Sequence, residues 1–259
     1  MRTDIYALIV IYNKNCNDSV SYNCLKDIKG LHLIVCDNST KDYQNKTAVE
    51  DDGYVYISMR GNMGLSAAYN KALVHLKDRD GWLCIFDDDT EVPDSYFKEL
   101  KNHINKNEYD ILLPQVLCNN GVMSPVILKK YAIKKISYLN NLDKKYIAGI
   151  NSGMAIKLDK LKDYKYDEKL FLDFIDFNFI LDMRHRQASI GIMETQLNQS
   201  FSVEGNDKQA SKTRFKIKKK DLKHFYSKSM ISKLYYFYIL ARMKIKLIMK
   251  FRDIKIVAW

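Results

Sequence analysis

The sequence predicts an α/β fold in which a mostly parallel sheet is flanked by helices. Apolar, β-branched segments alternate along the chain with segments whose apolar residues recur at helical spacing. Most of the strand-like segments are apolar throughout, as expected of parallel strands covered on both faces. Several end in polar side chains, and ligands bind outside the carboxyl ends of strands in Rossmann-like sheets. A ligand site is therefore expected at that edge.

The predicted strands lie in the first half of the chain. They are residues 6–13, 31–39, 54–59, 81–86 and 110–116. Helical patterns separate them, and the pattern at 61–78 opens with glycines. Residues 120–150 show no clear pattern. We place an α/β domain at residues 1–205 and a basic helical region at residues 206–259.

The cysteine pattern predicts a reducing compartment. The five cysteines are scattered and include no C-x-x-C pair, so neither a disulfide framework nor a zinc site is indicated. The apolar segment near the N-terminus is too short for a signal peptide. No segment reaches the roughly 18–20 apolar residues that cross a bilayer. The expected location is the cytoplasm.

The net charge of +11 is unevenly distributed. Lysine and arginine crowd the chain from Lys208 to Lys255. Such a segment fits an anionic partner, which could be nucleic acid, a membrane surface or a phosphorylated substrate. Residues 230–259 combine aromatic and aliphatic residues with basic ones at helix-like spacing, which predicts one or two amphipathic basic helices.

The segment IFDDDTEVP, residues 85–93, places three adjacent aspartates at the end of a predicted buried strand. Adjacent carboxylates suit a hard divalent cation such as Mg²⁺ or Mn²⁺. An acidic turn is the plain alternative. A phosphoaspartate site would need an Asp-x-Asp-x-Thr order, and here Thr90 follows Asp89 directly. The metal interpretation is favoured because Asn13 and Asp37 are expected at the same sheet edge.

Two further segments have both a functional and a structural interpretation. The glycine-rich segment 60–70 matches neither G-x-G-x-x-G nor the P-loop G-x-x-x-x-G-K-[ST], so it is either a turn before a helix or a backbone that approaches a nucleotide. A helix is predicted from about Asp173, which would place Asp173 and Asp176 on one face among phenylalanines. Apolar surroundings raise a carboxyl pKa and suit a general base. A solvent-facing residue and a helix cap are the alternatives.

Taken together, these segments resemble the family 2 glycosyltransferases of the GT-A fold, particularly bacterial rhamnosyltransferase-like members. The matching segments span roughly residues 5–200 in the family's order: LIVIYN, LIVCDNST, GNMGLSAAYNKAL, IFDDDTEVP, NSGMAI and LFLDFIDFNFILDMR. The resemblance implies an inverting transfer of rhamnose or another hexose from a dTDP- or UDP-sugar to an acceptor hydroxyl. Bacterial cell-surface polysaccharide synthesis is the implied setting.

The resemblance also implies roles for individual residues. The nucleotide-binding residues would be Tyr12, Asn13, Asp37, Asn62, Gly64, Asp87 and Asp88. Asp87 and Asp89 match the ends of the family's Asp-x-Asp element and would bind Mg²⁺ or Mn²⁺, with Asp89 the more direct ligand. Asp176 matches the catalytic base, and Asp173 is the second choice.

Two positions depart from the family's pattern. Many relatives carry an arginine six residues after the base, where this chain has Asp182; Arg184 and Arg186 follow and are candidate substitutes. Many relatives also complete the metal shell with a histidine, whereas the corresponding stretch at 195–201 offers only Asn198 or Gln199. This departure bears on metal affinity rather than on the fold.

The implied partners are a nucleotide-sugar donor and a saccharide or lipid-linked acceptor, without nucleic acid. The C-terminal helices would contact the membrane surface or a second subunit in a homodimer. Two other classes of protein compete with this interpretation. A basic nucleic-acid-binding protein would explain the charge and the tyrosines of 226–238. A sugar-nucleotide-forming nucleotidyltransferase shares the sheet architecture, but its early glycine-rich loop is missing after the first strand.

Overall fold

The computed structural model describes residues 3–118, 121–130, 132–136, 143–199 and 207–259. The strands in these residues are β1 (Ile5–Ile11), β2 (Leu31–Asp37), β3 (Val55–Ser58), β4 (Trp82–Phe86), β5 (Thr90–Glu91), β6 (Ile111–Cys118), β7 (Gly121–Ser124), β8 (Val126–Lys129), β9 (Ala132–Lys135), β10 (Ile147–Ala148), β11 (Met154–Lys157) and β12 (Ile190–Gln199). The predicted strands of the first half are all present, most with shorter ends.

The helices alternate with the strands in the first half and dominate the C-terminal region. They are α1 (Val20–Leu25), α2 (Asn45–Asp51), α3 (Leu65–His75), α4 (Asp94–Lys106), α5 (Leu158–Leu161), α6 (Ile175–His185), α7 (Lys208–Phe225) and α8 (Met230–Phe251). Short 3₁₀ helices cover Cys16–Asp18, Lys144–Tyr146, Tyr226–Lys228 and Ile254–Ala258. This composition is the α/β class that the sequence predicts.

The main sheet has the strand order β3-β2-β1-β4-β11-β6-β12-β5, and β7 pairs with β6. Strands β3, β2, β1 and β4 are parallel, as are β6 and β12. In contrast, β11 is antiparallel to both β4 and β6, and β5 and β7 are also antiparallel to their partners. A separate small sheet has the order β10-β8-β9.

The register brings the polar ends of the first strands to one edge of the sheet. Ile11 of β1 is opposite Asp37 of β2, and Ile9 of β1 is opposite Phe86 of β4. Asn13 and the aspartates after Phe86 therefore follow neighbouring strands at the same edge. The sheet is covered on both faces, because alternating residues such as Leu8 and Ile9 enter different core clusters.

Helix α6 begins later than the sequence predicts. Phe174 has a left-handed φ of 66° at the N-cap, and the helix starts at Ile175. Asp173 therefore precedes the helix, and the expectation that Asp173 and Asp176 share one helix face is wrong. The glycine-free segment before the helix gave no sequence signal for this turn.

The C-terminal region is helical, as predicted. Helix α7 packs on the α/β domain, because Leu222 and Phe225 belong to the same core cluster as Phe179 of α6. The predicted boundary between residues 205 and 206 lies outside the described residues, and it stays a prediction. Among the helices of the described chain, none combines the length and the apolar character needed to span a bilayer.

Candidate active site

A cleft of about 450 Å³ opens at the carboxyl edge of the sheet. Its lining includes Asp87 after β4, Asp176 in the first turn of α6, and Gln199 at the end of β12. Helix α7 contributes Arg214 and Lys218 to the same cleft. Three of the predicted acidic site residues, Asp87, Asp173 and Asp176, therefore meet a basic helix in one space.

The Gln199 side chain joins two of the three adjacent aspartates. Its Nε2 donates hydrogen bonds to Asp87 Oδ2 at 2.8 Å and to Asp89 Oδ1 at 3.1 Å. Gln199 is only 7% exposed, and its Oε1 has no hydrogen-bond partner within the described residues. One amide nitrogen thus offsets part of the repulsion between two carboxylates, while a buried amide oxygen is left without a donor.

The environment of these carboxylates favours their neutral forms. Burial raises the pKa of Asp87 to about 6, and the neighbouring charge of Asp89 adds to the shift. Burial also raises the pKa of Asp89, although the Gln199 hydrogen bond acts in the opposite direction. A cation bound by these carboxylates would offset both their loss of hydration and their mutual repulsion, and it would therefore lower both pKa values.

Asp88 is held by a different set of contacts. Its carboxylate forms an ion pair with Lys14 Nζ at 2.8 Å, and its main-chain oxygen accepts a hydrogen bond from Ser19. The Ser21 hydroxyl donates hydrogen bonds to the main-chain oxygens of Asp87 and Thr90 in the same turn. Two serines of the α1 region therefore fix the acidic turn through its backbone.

Asp37 lies in a second cleft, of about 280 Å³, at the same edge of the sheet. The side chain is buried, and its Oδ2 accepts hydrogen bonds from Asn45 Nδ2 at 2.9 Å and from Tyr56 Oη at 3.1 Å. Its Oδ1 caps the turn by accepting from the Ser39 amide. Lys41, Asp42 and Arg60 also line this cleft, so it contains side chains of both charges.

Tyr12 and Asn13 connect the first strand to this region. Asn13 has a left-handed φ of 50°, and its Oδ1 accepts hydrogen bonds from the amide and the hydroxyl of Thr40. The main-chain amide of Asn13 donates a hydrogen bond to Ser39 Oγ at 2.9 Å. The Tyr12 side chain is 47% exposed, so an aromatic face is presented to solvent beside Asn13.

Asn62 and Gly64 shape the approach to α3. The Gly64 amide donates to Asn62 Oδ1 at 3.3 Å, and Gly64 has a φ of 85°. A Cβ at this position would meet the Phe171 side chain and carbonyl oxygen at 2.7 Å. The Leu65 amide donates to the same carbonyl at 2.8 Å. Glycine is therefore required because another loop lies against this backbone.

Asp176 is a buried carboxyl group whose pKa is raised into the neutral range. Burial raises the pKa of its carboxyl group to about 7, and the charges of Asp87 and Asp173 add to the shift. Its Oδ1 accepts the Phe177 amide at 2.8 Å, which fixes the carboxylate at the start of α6. A group with this pKa can accept a proton near neutral pH.

The Asp173 carboxylate forms ion pairs with two basic residues of helix α7. Arg214 donates to both of its carboxylate oxygens, and Lys218 Nζ lies 3.5 Å from Oδ1. In return, the buried carboxylate of Asp221 accepts the amides of Phe171 and Leu172 and that of Asp173 itself. The loop before α6 is therefore held to α7 by reciprocal charged hydrogen bonds.

Several residues of this site were missed from the sequence. Asn151 lines the cleft, is 7% exposed, and has an Oδ1 without a hydrogen-bond partner in the described residues. Arg214, Lys218 and Asp221 were seen only as part of a basic region. Asn151 lies in NSGMAI, so the resemblance marked its segment, whereas no local pattern connects α7 with residues 171–173.

The candidate substitutes for the missing arginine have structural roles. Arg184 donates to the main-chain oxygens of Leu128 and Ile147, both at 2.8 Å, and so clamps β8 to β10. Arg186 stacks over the Tyr164 ring at 5.2 Å. Asp182 itself accepts a hydrogen bond from Tyr164 Oη at 3.0 Å. None of these side chains is among the residues lining the cleft.

An α/β sheet with acidic and amide side chains at its carboxyl edge is typical of proteins that bind nucleotides there. The model of the family described as Glycosyl transferase family 2 matches residues 7–164, which is more than half of the chain. The chain therefore belongs to glycosyl transferase family 2. This finding confirms the predicted resemblance and disfavours both the nucleic-acid-binding protein and the nucleotidyltransferase.

Solved structures of TarS from S. aureus have a similar fold. One has a TM-score of 0.57 at 16% identity, with 88% of this chain and 44% of that chain covered. TarS 1-349 in complex with UDP has a TM-score of 0.55 at 16% identity, covering 96% of this chain and 72% of that one. TarS 1-349 in complex with UDP-GlcNAc has a TM-score of 0.50 at 15% identity, covering 92% and 71%.

These similarities confirm the GT-A fold and nothing finer, because the identities are low. The chain spans less than half the length of the first of these TarS structures. A comparison with curated proteins found no match.

Proposed function

We propose that this chain is an inverting glycosyltransferase that moves a hexose from a UDP- or dTDP-sugar to an acceptor hydroxyl. One observation carries the proposal: Asp87 and Asp176 line the same cleft at the carboxyl edge of the sheet, and both have pKa values raised towards neutrality. The first suits a site for diphosphate and cation, and the second suits a base.

In the proposed reaction, Asp176 accepts the proton of the acceptor hydroxyl. The hydroxyl oxygen forms a bond to the anomeric carbon of the donor sugar as the bond from that carbon to the diphosphate breaks. The nucleoside diphosphate leaves with the bonding electron pair. A single displacement of this kind inverts the anomeric configuration, and it needs a base and a leaving group on opposite sides of the sugar.

A divalent cation, Mg²⁺ or Mn²⁺, fits the oxygen atoms at the end of β4. Asp87 and Asp89 supply carboxylates that repel one another, and the Gln199 amide group, turned so that Oε1 takes the place of Nε2, would supply a third oxygen. No group of three or more His, Cys, Asp or Glu side chains arranged for a metal occurs in the described residues. Bound there, the cation would neutralise charge on the leaving diphosphate.

The nucleotide would extend from this turn towards the cleft at Asp37. Asp37 and Asn13 offer polar contacts for the ribose and base, and the exposed Tyr12 ring offers a stacking surface. Asn62 and Gly64 would frame the phosphates from the start of α3, and Asp88 would contact ribose or sugar. TarS structures contain UDP and UDP-GlcNAc, which makes UDP-sugars the first donors to test.

The acceptor is proposed to be a saccharide or a lipid-linked saccharide of bacterial cell-surface polysaccharide synthesis, and rhamnose is one candidate for the transferred sugar. Nucleotide sugars are cytoplasmic substrates, so we place the enzyme in the cytoplasm, with its basic C-terminal helices against the inner face of the membrane. A homodimer formed through those helices is the competing arrangement, because their exposed apolar side chains also suit a protein interface.

The test measures thermal stabilisation by UDP and dTDP, each with and without Mn²⁺, followed by hydrolysis of a panel of UDP- and dTDP-hexoses. We expect one nucleotide to stabilise the protein and its sugars to be hydrolysed slowly. Asp89→Asn should lose metal-dependent stabilisation. Stabilisation by oligonucleotides, without any response to nucleoside diphosphates, would refute the proposal.

A further inference from the structure

Helix α8 is apolar on two opposite sides. On its inner side, Tyr236, Ile239, Leu240 and Met243 pack against the main core cluster. These positions recur at the three- and four-residue spacing of one helix face. A helix that only packed on the domain would present polar residues on its other side. The outer side of α8 does not follow that pattern.

The outer face of α8 consists of exposed large apolar side chains. They are Met230, Leu234, Phe237, Tyr238, Ile245 and Met249. Leu234 is 71% exposed, Phe237 64% and Met249 68%. Of the fifteen exposed large hydrophobic side chains in the described residues, eight lie on α8. The concentration on one element marks a surface that another phase or molecule covers.

A row of cations borders this outer face. Arg242, Lys246 and Lys250 are spaced four residues apart, so they form one line along the helix, and all three are exposed. Ile245 and Met249 each precede one of these cations in sequence, which places the apolar and basic rows side by side. Residues 230–259 contain seven Lys or Arg but only one acidic residue, Asp253, which is paired with Lys208.

We propose that the outer face of α8 binds an anionic lipid surface, with the helix axis parallel to the membrane. Its 22 residues would extend about 33 Å along the surface. The apolar row would enter the boundary between headgroups and acyl chains, and the cations would contact lipid phosphates. This inference defines the face behind the membrane contact of the proposed function, but it does not depend on the transfer reaction.

The charge pattern favours lipid over a second copy of the chain. In a symmetric dimer through this face, each copy would bring its own row of cations to the interface, and like charges would be desolvated together. An anionic membrane neutralises the same row. Nucleic acid would also neutralise it, but aliphatic side chains such as Leu234, Ile245 and Met249 gain little from a phosphate backbone.

The test measures co-sedimentation of the full chain with vesicles. One set is phosphatidylcholine alone, and the other contains equal parts of phosphatidylcholine and phosphatidylglycerol. We expect binding to the mixed vesicles, weakened by salt, and little binding to phosphatidylcholine. Leu234→Ser combined with Phe237→Ser should reduce the affinity roughly a hundredfold. Each of Arg242→Gln and Lys246→Gln should reduce it about fivefold and weaken its salt dependence.

The matched control is Val74→Ser on α3, because Val74 is 74% exposed but lies outside the outer face of α8. It should bind vesicles as the unmodified protein does. Stabilisation by UDP should be unchanged in every variant, which separates failure of this inference from failure of the proposed function. Full vesicle binding by the double serine variant would overturn the inference. A second result would also overturn it: the unmodified protein does not bind vesicles and is a dimer by light scattering, whereas the double serine variant is a monomer.

Discussion

The amide nitrogen of Gln199 lies 2.8 Å from a carboxylate oxygen of Asp87. The same nitrogen reaches Asp89, so a neutral amide stands beside two carboxylates at the position where the family resemblance implies a histidine. The amide nitrogen that faces these carboxylates has no lone pair available for a metal ion, whereas a neutral imidazole nitrogen can bind one directly. The chain should therefore bind Mn²⁺ less tightly than a histidine-containing site would.

Gln199→His should raise the affinity for Mn²⁺ by roughly tenfold or more. Isothermal titration of Mn²⁺ in the presence of UDP measures this directly. Gln196→His is the matched control, because Gln196 is an exposed residue on the opposite face of β12. An equal gain from both histidines would indicate adventitious binding, and no gain from Gln199→His would place the cation elsewhere.

The rate of transfer should rise with pH through about 7, because Asp176 must be ionised to accept a proton and its pKa is raised to about 7. Asp176→Asn should keep UDP binding and lose transfer by roughly 10²–10⁴-fold, the usual contribution of a general base. A pH–rate profile of kcat and a UDP titration measure the two effects.

Asp173→Asn provides the comparison for that experiment. Asp173 is bound by Arg214 and Lys218, so its carboxylate is engaged and less suited to accept a proton. The asparagine variant should retain a rising pH profile, with a midpoint slightly lower than that of the unmodified protein because the charge of Asp173 contributes to the raised pKa of Asp176. Full turnover by Asp176→Asn would instead move the base to Asp173.

The burial that raises the pKa of Asp176 should also reduce stability at high pH. Its folded-state pKa of about 7 lies above the ordinary value of 3.8, so the folded protein binds more protons than the unfolded chain between these values. Stability from this group is therefore present below about pH 4 and is lost as pH rises towards 7. Asp176→Asn should be more stable than the unmodified protein at pH 8 by about 2 kcal/mol, allowing for partial exposure of the carboxylate.

Urea unfolding at pH 8 and pH 4 measures this difference. The gain should fall to about 0.5 kcal/mol at pH 4, where the folded carboxyl group is neutral and the unfolded one, with a pKa of 3.8, is only about half ionised. Asp51→Asn, at an exposed position on α2, is the control and should change little at either pH. A gain that is equal at both pH values would mean that packing, not ionisation, causes it.

Local patterns were sufficient to predict the strands and their polar ends. β1, β2 and β4 are each continuous apolar segments followed by polar residues, and parallel pairing then brings those ends together. Asp87 and Asp89 could be singled out because three adjacent carboxylates after a buried strand are costly without a ligand. Each of these inferences uses residues that are close in sequence.

The remaining features depend on contacts between distant residues. β11 enters the sheet antiparallel between β4 and β6, and Gly153 before it has a φ of 77° with Leu197 and Pro114 occupying the space of a side chain. Arg214 contacts Asp173 across 41 residues. No periodicity encodes either pairing, so neither the antiparallel insertion nor the role of α7 could be predicted.

Asp221 should be essential for the shape of the loop before α6. Its carboxylate accepts three main-chain amides at 2.8 to 3.0 Å, and replacing one oxygen by NH₂ would direct a donor at a donor. Asp221→Asn should lower the free energy of unfolding by about 2–3 kcal/mol. It should also slow transfer, since the loop leads directly to Asp176.

Asp207→Asn is the matched control on the same helix. Asp207 caps α7 by accepting the Gln209 amide, and asparagine is an equally good N-cap. Guanidinium unfolding should show little change for this variant. If Asp221→Asn were as stable as Asp207→Asn, the three amides would have to find other acceptors, and α7 would not be holding the loop.

A comparison of Gly64 with Gly53 distinguishes the energetic cost of a left-handed backbone from the cost of steric crowding. Both have left-handed backbones, with φ of 85° and 81°, but a Cβ at Gly53 meets nothing within 4 Å, whereas a Cβ at Gly64 meets Phe171 at 2.7 Å. Gly53→Ala should therefore cost only the conformational penalty of about 1–2 kcal/mol. Gly64→Ala should cost about 2 kcal/mol more, because the loop at Phe171 must move. Thermal unfolding measures the loss of stability in both variants, and equal losses would show that the loop at Phe171 moves at little cost. A loss of UDP binding confined to Gly64→Ala would show that movement of this loop affects the nucleotide site.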